Sequence, residues 1–202
     1  MGNGVHVINI NNKKIGVCIC ADNHFTEIIE KIQKENVSLF IMPHAWPTPY
    51  KVGNGVKQKD IINQNNELKE LPVKIAQLLK VPVVFVNQIG TMEKMLGFFG
   101  KFMTADNFKL QGFSRIIDSK GTLLSEIDDK EGIIYSDIDI TKNENVEYDS
   151  VPNYNGWIHE GSVIVRKILA PIDITLGQKQ YKKQLRRWRA INDQNNTSRF
   201  FS

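Results

Sequence analysis

The stretch IGVCICADNHFTE, residues 15–27, passes from an apolar strand into acids, a histidine and the start of a helix, and it sets Cys18 and Cys20 at the change. Residues 15–20 are apolar almost throughout, as in a buried strand. Phe25, Ile28, Ile29 and Ile32 then recur at helical spacing. A cysteine at such a corner is exposed, and a nearby helix N-terminus favours its thiolate, the nucleophilic form. Position alone leaves three uses of Cys20 open: a nucleophile, a buried structural thiol, or a metal ligand with Cys18, His24 or His44. The spacing matches none of the common zinc patterns. Cys18, inside the strand, is expected to pack as a small apolar residue.

Upstream, Val5, Val7, Ile8 and Ile10 suggest a first strand, and the polar NNKK at 11–14 suggests the turn of a hairpin. Downstream, SLFIMP at 38–43 is a short apolar strand ending at a proline, so strand, helix and strand follow in the order of a helix-covered sheet. Residues 47–66, with two prolines, two glycines and many polar side chains, read as a long loop or the approach to a helix. Pro72 suits the first turn of a second helix reaching about Leu79. VPVVFVN at 81–87 is β-branched and buried in character, and it ends at Asn87. Two strands joined through Asp118–Gly121 and a last strand, GIIYSDIDI at 132–140, complete the sheet.

With 202 residues and 41% hydrophobic content the chain can bury a full core, so a globular protein is expected. No apolar run approaches a membrane span, and MGNGVHVINI lacks the features of a secretory signal, which points to the cytoplasm. Two cysteines one residue apart cannot build a disulfide framework and are expected to be reduced. The net charge of +4 is uneven: residues 161–202 hold nine Lys and Arg against two Asp, a net +7, which leaves −3 for the remainder. Tyr181, Leu185 and Trp188 fall at helical spacing among those cations. A solvated helix that docks on its own fold or on a sister subunit fits better than a nucleic-acid arm, because basic residues alone are a weak signal.

The run Gly16–Glu27 resembles the nucleophile segment of the nitrilase, or carbon-nitrogen hydrolase, superfamily, whose pattern is Gly-Val-x-Ile-Cys-aromatic-Asp-x-x-Phe-Pro-Glu. The resemblance continues in order through MPHAWP at 42–47, FVNQIG at 85–90 and QGFSRIIDSKG at 111–121, and it spans residues 5–140. It implies an α/β fold, the α-β-β-α sandwich, here incomplete at its N-terminal side. The implied organisation is a partial hydrolase domain over 1–140 and an extension with the basic helix over 141–202.

The implied chemistry is hydrolysis of a nonpeptide carbon-nitrogen bond through a cysteine thioester, assisted by a glutamate base and a lysine. Cys20 would be the nucleophile, and the backbone N–H of Ala21 would be one oxyanion donor. His44, Trp46 and Asn87 would line the pocket, at the carboxyl ends of their strands. Ala21 stands where the family has an aromatic residue, which widens the pocket. No glutamate precedes Cys20, and Lys13 and Lys14 lie in the hairpin turn rather than where the family places its lysine.

The resemblance calls for no metal and no organic cofactor. It implies a small amide, carbamoyl compound or nitrile as substrate and, as partner, a second copy or a complementing N-terminal half. No membrane is called for. The rival is a noncatalytic binding or subunit protein that keeps the cysteine segment as architecture. Asp22 and Glu27 suit the capping of a helix start. His24 is expected at the surface, partly exposed, and Met92, Met95, Phe98, Phe99, Phe102 and Met103 are expected as an apolar packing loop.

Overall fold

The computed structural model describes residues 5–93, 105–141, 146–160 and 170–198. Most of the apolar loop expected around Met95–Met103 lies outside them. The chain opens with a hairpin of β1 (His6–Ile10) and β2 (Lys13–Val17), antiparallel with Ile8 opposite Ile15. Asn11 and Asn12 turn it at φ 47° and 61°, left-handed values that asparagine tolerates. A 3₁₀ turn, Cys20–His24, leads into α1 (Thr26–Glu35), and Asn36 ends that helix at φ 55°.

β3 (Leu39–His44) lies parallel to β2, and β5 (Val83–Asn87) lies parallel to β3. β8 (Ser114–Ile117) and β9 (Leu123–Ile127) add antiparallel, so the six-stranded order is β1-β2-β3-β5-β8-β9. β4 (Pro47–Pro49), β7 (Phe108–Gln111) and β6 (Ile89–Thr91) form a second, small sheet in that order.

Two elements differ from the sequence expectation. The second helix, α2, spans Gln58–Leu79, so Pro72 sits in its interior and not at its start. The start is fixed instead where the Lys57 N–H donates to the Asp60 carboxylate at 2.9 Å. Pro72 removes one backbone donor, but its ring is buried against the core, and the packed face of a long helix outweighs one lost bond. The stretch 132–140 forms no strand: Ile133 and Tyr135 are 77% and 80% exposed, so its apolar side chains find no partner strand among the described residues.

Strand register decides which side chains enter the core. Phe40 pairs with Val83, Met42 with Phe85 and His44 with Asn87, and all six are buried on one face. Ile29 and Ile32 of α1 and Leu68, Leu71, Ile75 and Leu79 of α2 cover that face. Each such large side chain contributes about 2 kcal/mol through burial. Gly16 lets β2 approach this layer, because an added Cβ would sit 3.0 Å from Phe40 and 3.1 Å from Val37.

The opposite face is only partly covered. Ile8, Ile10 and Val86 are 51%, 54% and 49% exposed there, an apolar surface of the kind that packs against another layer.

Residues 148–159 return over the start of α1. The Thr26 N–H donates to the Gly156 carbonyl at 2.9 Å, and its hydroxyl donates to Pro152 at 2.8 Å. Thr26 stands where the resembled pattern has proline, which could make neither bond. Finally α3 (Ala170–Ser198) places Pro171 in its first turn and leaves Tyr181 and Trp188 exposed. No helix of the described residues is long and apolar enough to cross a membrane.

Candidate active site

Cys20 begins the 3₁₀ turn three residues after β2 ends, with its backbone at φ 50°. A non-glycine residue in that left-handed region is strained, and surrounding contacts must hold it there. Asn23 supplies them. Fully buried, it donates from Nδ2 to the Cys18 carbonyl at 2.9 Å and to the Cys20 carbonyl at 3.2 Å, and the same nitrogen lies 2.9 Å from His44 Nε2. The Asp22 N–H closes the turn onto the Ile19 carbonyl.

The two thiols differ sharply. Cys18 is buried in the core, and desolvation, aided by the charge of Asp22, pushes its pKa up to about 12, so it stays a neutral thiol. Cys20 is partly exposed. Glu27 spends its carboxylate on an exposed 2.6 Å pair with Lys31. Ala21, the first residue after Cys20, is exposed.

The other expected pocket residues gather at the carboxyl ends of the parallel strands. His44 closes β3 beside Asn87 of β5, and burial lowers the His44 pKa to about 4. Trp46 sets its ring edge-on to His24 with 4.5 Å between centroids. The Asn87 amide is spent on backbone: its Oδ1 accepts from the Trp46 N–H and its Nδ2 donates to the Gly112 carbonyl, both at 2.9 Å. That is the loop-tying use of an asparagine. Gly112 takes φ 71°, and a Cβ there would collide with the Asp128 carbonyl oxygen.

His24 is a correction: it is buried, not a surface histidine. The returning segment covers it, since the Ile158 N–H donates to the His24 carbonyl at 3.0 Å and Trp157 forms a bridge with Phe25. His24 Nδ1 lies 2.9 Å from His159 Nε2. Burial first, then the neighbouring His159 and His44, hold the His24 pKa well below the ordinary value of 6.5. On the far side of His159, Nδ1 is 2.6 Å from Glu67 Oε1 on α2, although the contact lacks the alignment of a hydrogen bond.

Sequence reasoning missed Asn23, Glu67 and His159. Asn23 carries no motif beyond its place beside Cys20. Glu67 and His159 lie 92 positions apart, and only the folding-back of residues 148–159 joins them.

The chain is 27% identical over 155 residues to nitrilase homolog 2 of Dictyostelium discoideum, a match covering 76% of this chain and 39% of that protein. It is 27% identical over 128 residues to a probable nitrilase of Schizosaccharomyces pombe, covering 63% of this chain and 37% of the relative. It therefore spans well under half the length of these curated relatives. Among solved structures, a carbon-nitrogen hydrolase from Helicobacter pylori G27 superimposes with a TM-score of 0.56 at 21% identity, over 69% of this chain and 45% of that one. The fold is shared. With the carbon-nitrogen hydrolase family model matching residues 1–148, the chain belongs to the carbon-nitrogen hydrolase family.

Proposed function

We propose that this chain is the cysteine-bearing part of a hydrolase of nonpeptide carbon-nitrogen bonds, acting on a small amide, carbamoyl compound or nitrile, with Cys20 as nucleophile. The observation that carries the reading is the backbone of Cys20, held at φ 50° by Asn23 at the mouth of parallel strands β2 and β3. A strained nucleophile at a strand-to-turn corner is pre-organised for attack. With an amide, the Cys20 sulfur bonds to the carbonyl carbon, whose oxygen becomes an oxyanion facing the Ala21 N–H. The carbon-nitrogen bond then breaks and the amine leaves with a proton. Water attacks the thioester, releasing the acid and restoring the thiol.

A base and a second oxyanion donor are needed, and the family's glutamate and lysine supply them. Lys14 is occupied elsewhere: its ammonium donates to the Glu35 carbonyl at 3.1 Å. The partner in this reading is a complementing segment that brings both residues on a second sheet and covers Ile8, Ile10 and Val86. Its location would be cytoplasmic. The exposed face of α3, with Tyr181 and Trp188, would meet a second copy.

The rival reading is a noncatalytic subunit that keeps the cysteine segment as architecture. Alkylation of the folded protein at neutral pH, mapped by mass spectrometry, separates the two. Cys20 reacting at least about tenfold faster than Cys18 supports an accessible, activated thiol. Equal sluggishness at both positions supports the subunit.

A further inference from the structure

We propose that His24, Glu67 and His159 form a binding site for a divalent transition-metal ion of the zinc class. The site is independent of the role given to Cys20. Its donors come from three separate places, the 3₁₀ turn, α2 and the returning segment, yet one donor atom of each lies within 4.8 Å of the others. Two imidazoles and one carboxylate are the donor set of a three-ligand zinc site that keeps a fourth position for water. The same mixture of nitrogen and oxygen selects zinc, cobalt or nickel over magnesium and calcium.

The donors are gathered in one place, with His159 between His24 and Glu67. Tetrahedral zinc bonds of about 2.0 Å set two nitrogens about 3.3 Å apart, and His24 Nδ1 and His159 Nε2 stand at 2.9 Å. Glu67 Oε1 stands 2.6 Å from the other ring nitrogen of His159, Nδ1, so the His159 ring must turn to present one nitrogen to an ion shared with both partners. Glu67 Oε1 and His159 Nδ1 are buried without completing a hydrogen bond among the described residues, so coordinating capacity is unspent.

The ligands are also well supported. His159 follows Ile158, whose N–H is held by the His24 carbonyl at 3.0 Å and whose carbonyl accepts from the Lys74 ammonium at 2.5 Å. Trp46 lies against His24 and Trp157 against His159, with centroids 4.5 and 5.5 Å apart, which limits water on that side. On the other side an open cleft of about 370 Å³, lined also by Asn63, Asn66, Glu70, Leu71 and Lys74, reaches Glu67 and His159. It gives the ion an entry path and room for a bound water.

The test uses the full chain, stripped with a chelator, then titrated with Zn²⁺ by calorimetry and with Co²⁺ by visible absorption. The expected result is one ion per chain and the strong visible bands of four-coordinate cobalt. Glu67→Gln, which keeps the side-chain shape, and His159→Ala should each weaken binding at least about tenfold. Replacing the exposed His6 with Ala, or both cysteines with Ser, should leave it unchanged. Absence of saturable binding, binding unaltered by both Glu67→Gln and His159→Ala, or binding lost with the cysteines overturns the proposal.

Discussion

At the scale of single residues, the chemistry of the candidate site turns on how differently the fold treats neighbours. Cys18 and Cys20 are two positions apart, yet one is a core thiol with its pKa near 12 and the other is partly exposed. The corner that separates them depends on Asn23. Asn23→Ala deletes a buried donor and leaves the Cys18 and Cys20 carbonyls without it. The expected loss is about 2–3 kcal/mol of unfolding free energy, measured by urea denaturation, with slower alkylation of Cys20 as its φ relaxes. Unchanged stability and reactivity would remove Asn23 from this role. The cysteine was legible in the sequence because strand, corner and helix are local patterns. Burial of His24 was not, because it is imposed by residues more than 130 positions away.

At the scale of elements, local periodicity located β1, β2, α1, β3, β5, β8 and β9, whose apolar residues alternate or recur within a few positions. It failed for α2, where a proline read as a helix start is carried in the interior by a buried face that includes Leu68, Leu71 and Ile75. It also failed for 132–140, where strand-like composition meets no partner strand among the described residues. The close approach of β2 to the helical layer makes a second prediction. Gly16→Ala would push a methyl group into Phe40, Val37 and Ile32, at 3.0, 3.1 and 3.3 Å from their nearest atoms. Overpacking of that kind costs about 1–3 kcal/mol, and the midpoint of thermal unfolding should fall by several degrees. A midpoint equal to that of the unaltered protein would show that the layer yields freely.

At the scale of the whole molecule, the buried histidines set a pH dependence. His44 titrates near 4 in the fold against an ordinary 6.5, and His24 is lowered as well. The unfolded chain therefore binds more protons than the fold between these values, so stability is full above about pH 6.5 and is lost as pH falls towards 4. Each histidine adds a slope of at most about 1.4 kcal/mol per pH unit, and His44→Gln should flatten the curve of unfolding free energy against pH. A second consequence of the whole fold is the half-covered apolar sheet face at Ile8, Ile10 and Val86. An apolar face of that kind is expected to be covered by a second layer.

The most direct test of Cys20 as nucleophile is hydrolysis of small amides and nitriles by this chain assembled with a segment that supplies the second sheet, its glutamate and its lysine. It should be measured beside the same assembly carrying Cys20→Ser. The account predicts release of ammonia or amine by the first and none above background by the second. Equal rates in both, or no hydrolysis by any completed assembly, would contradict it.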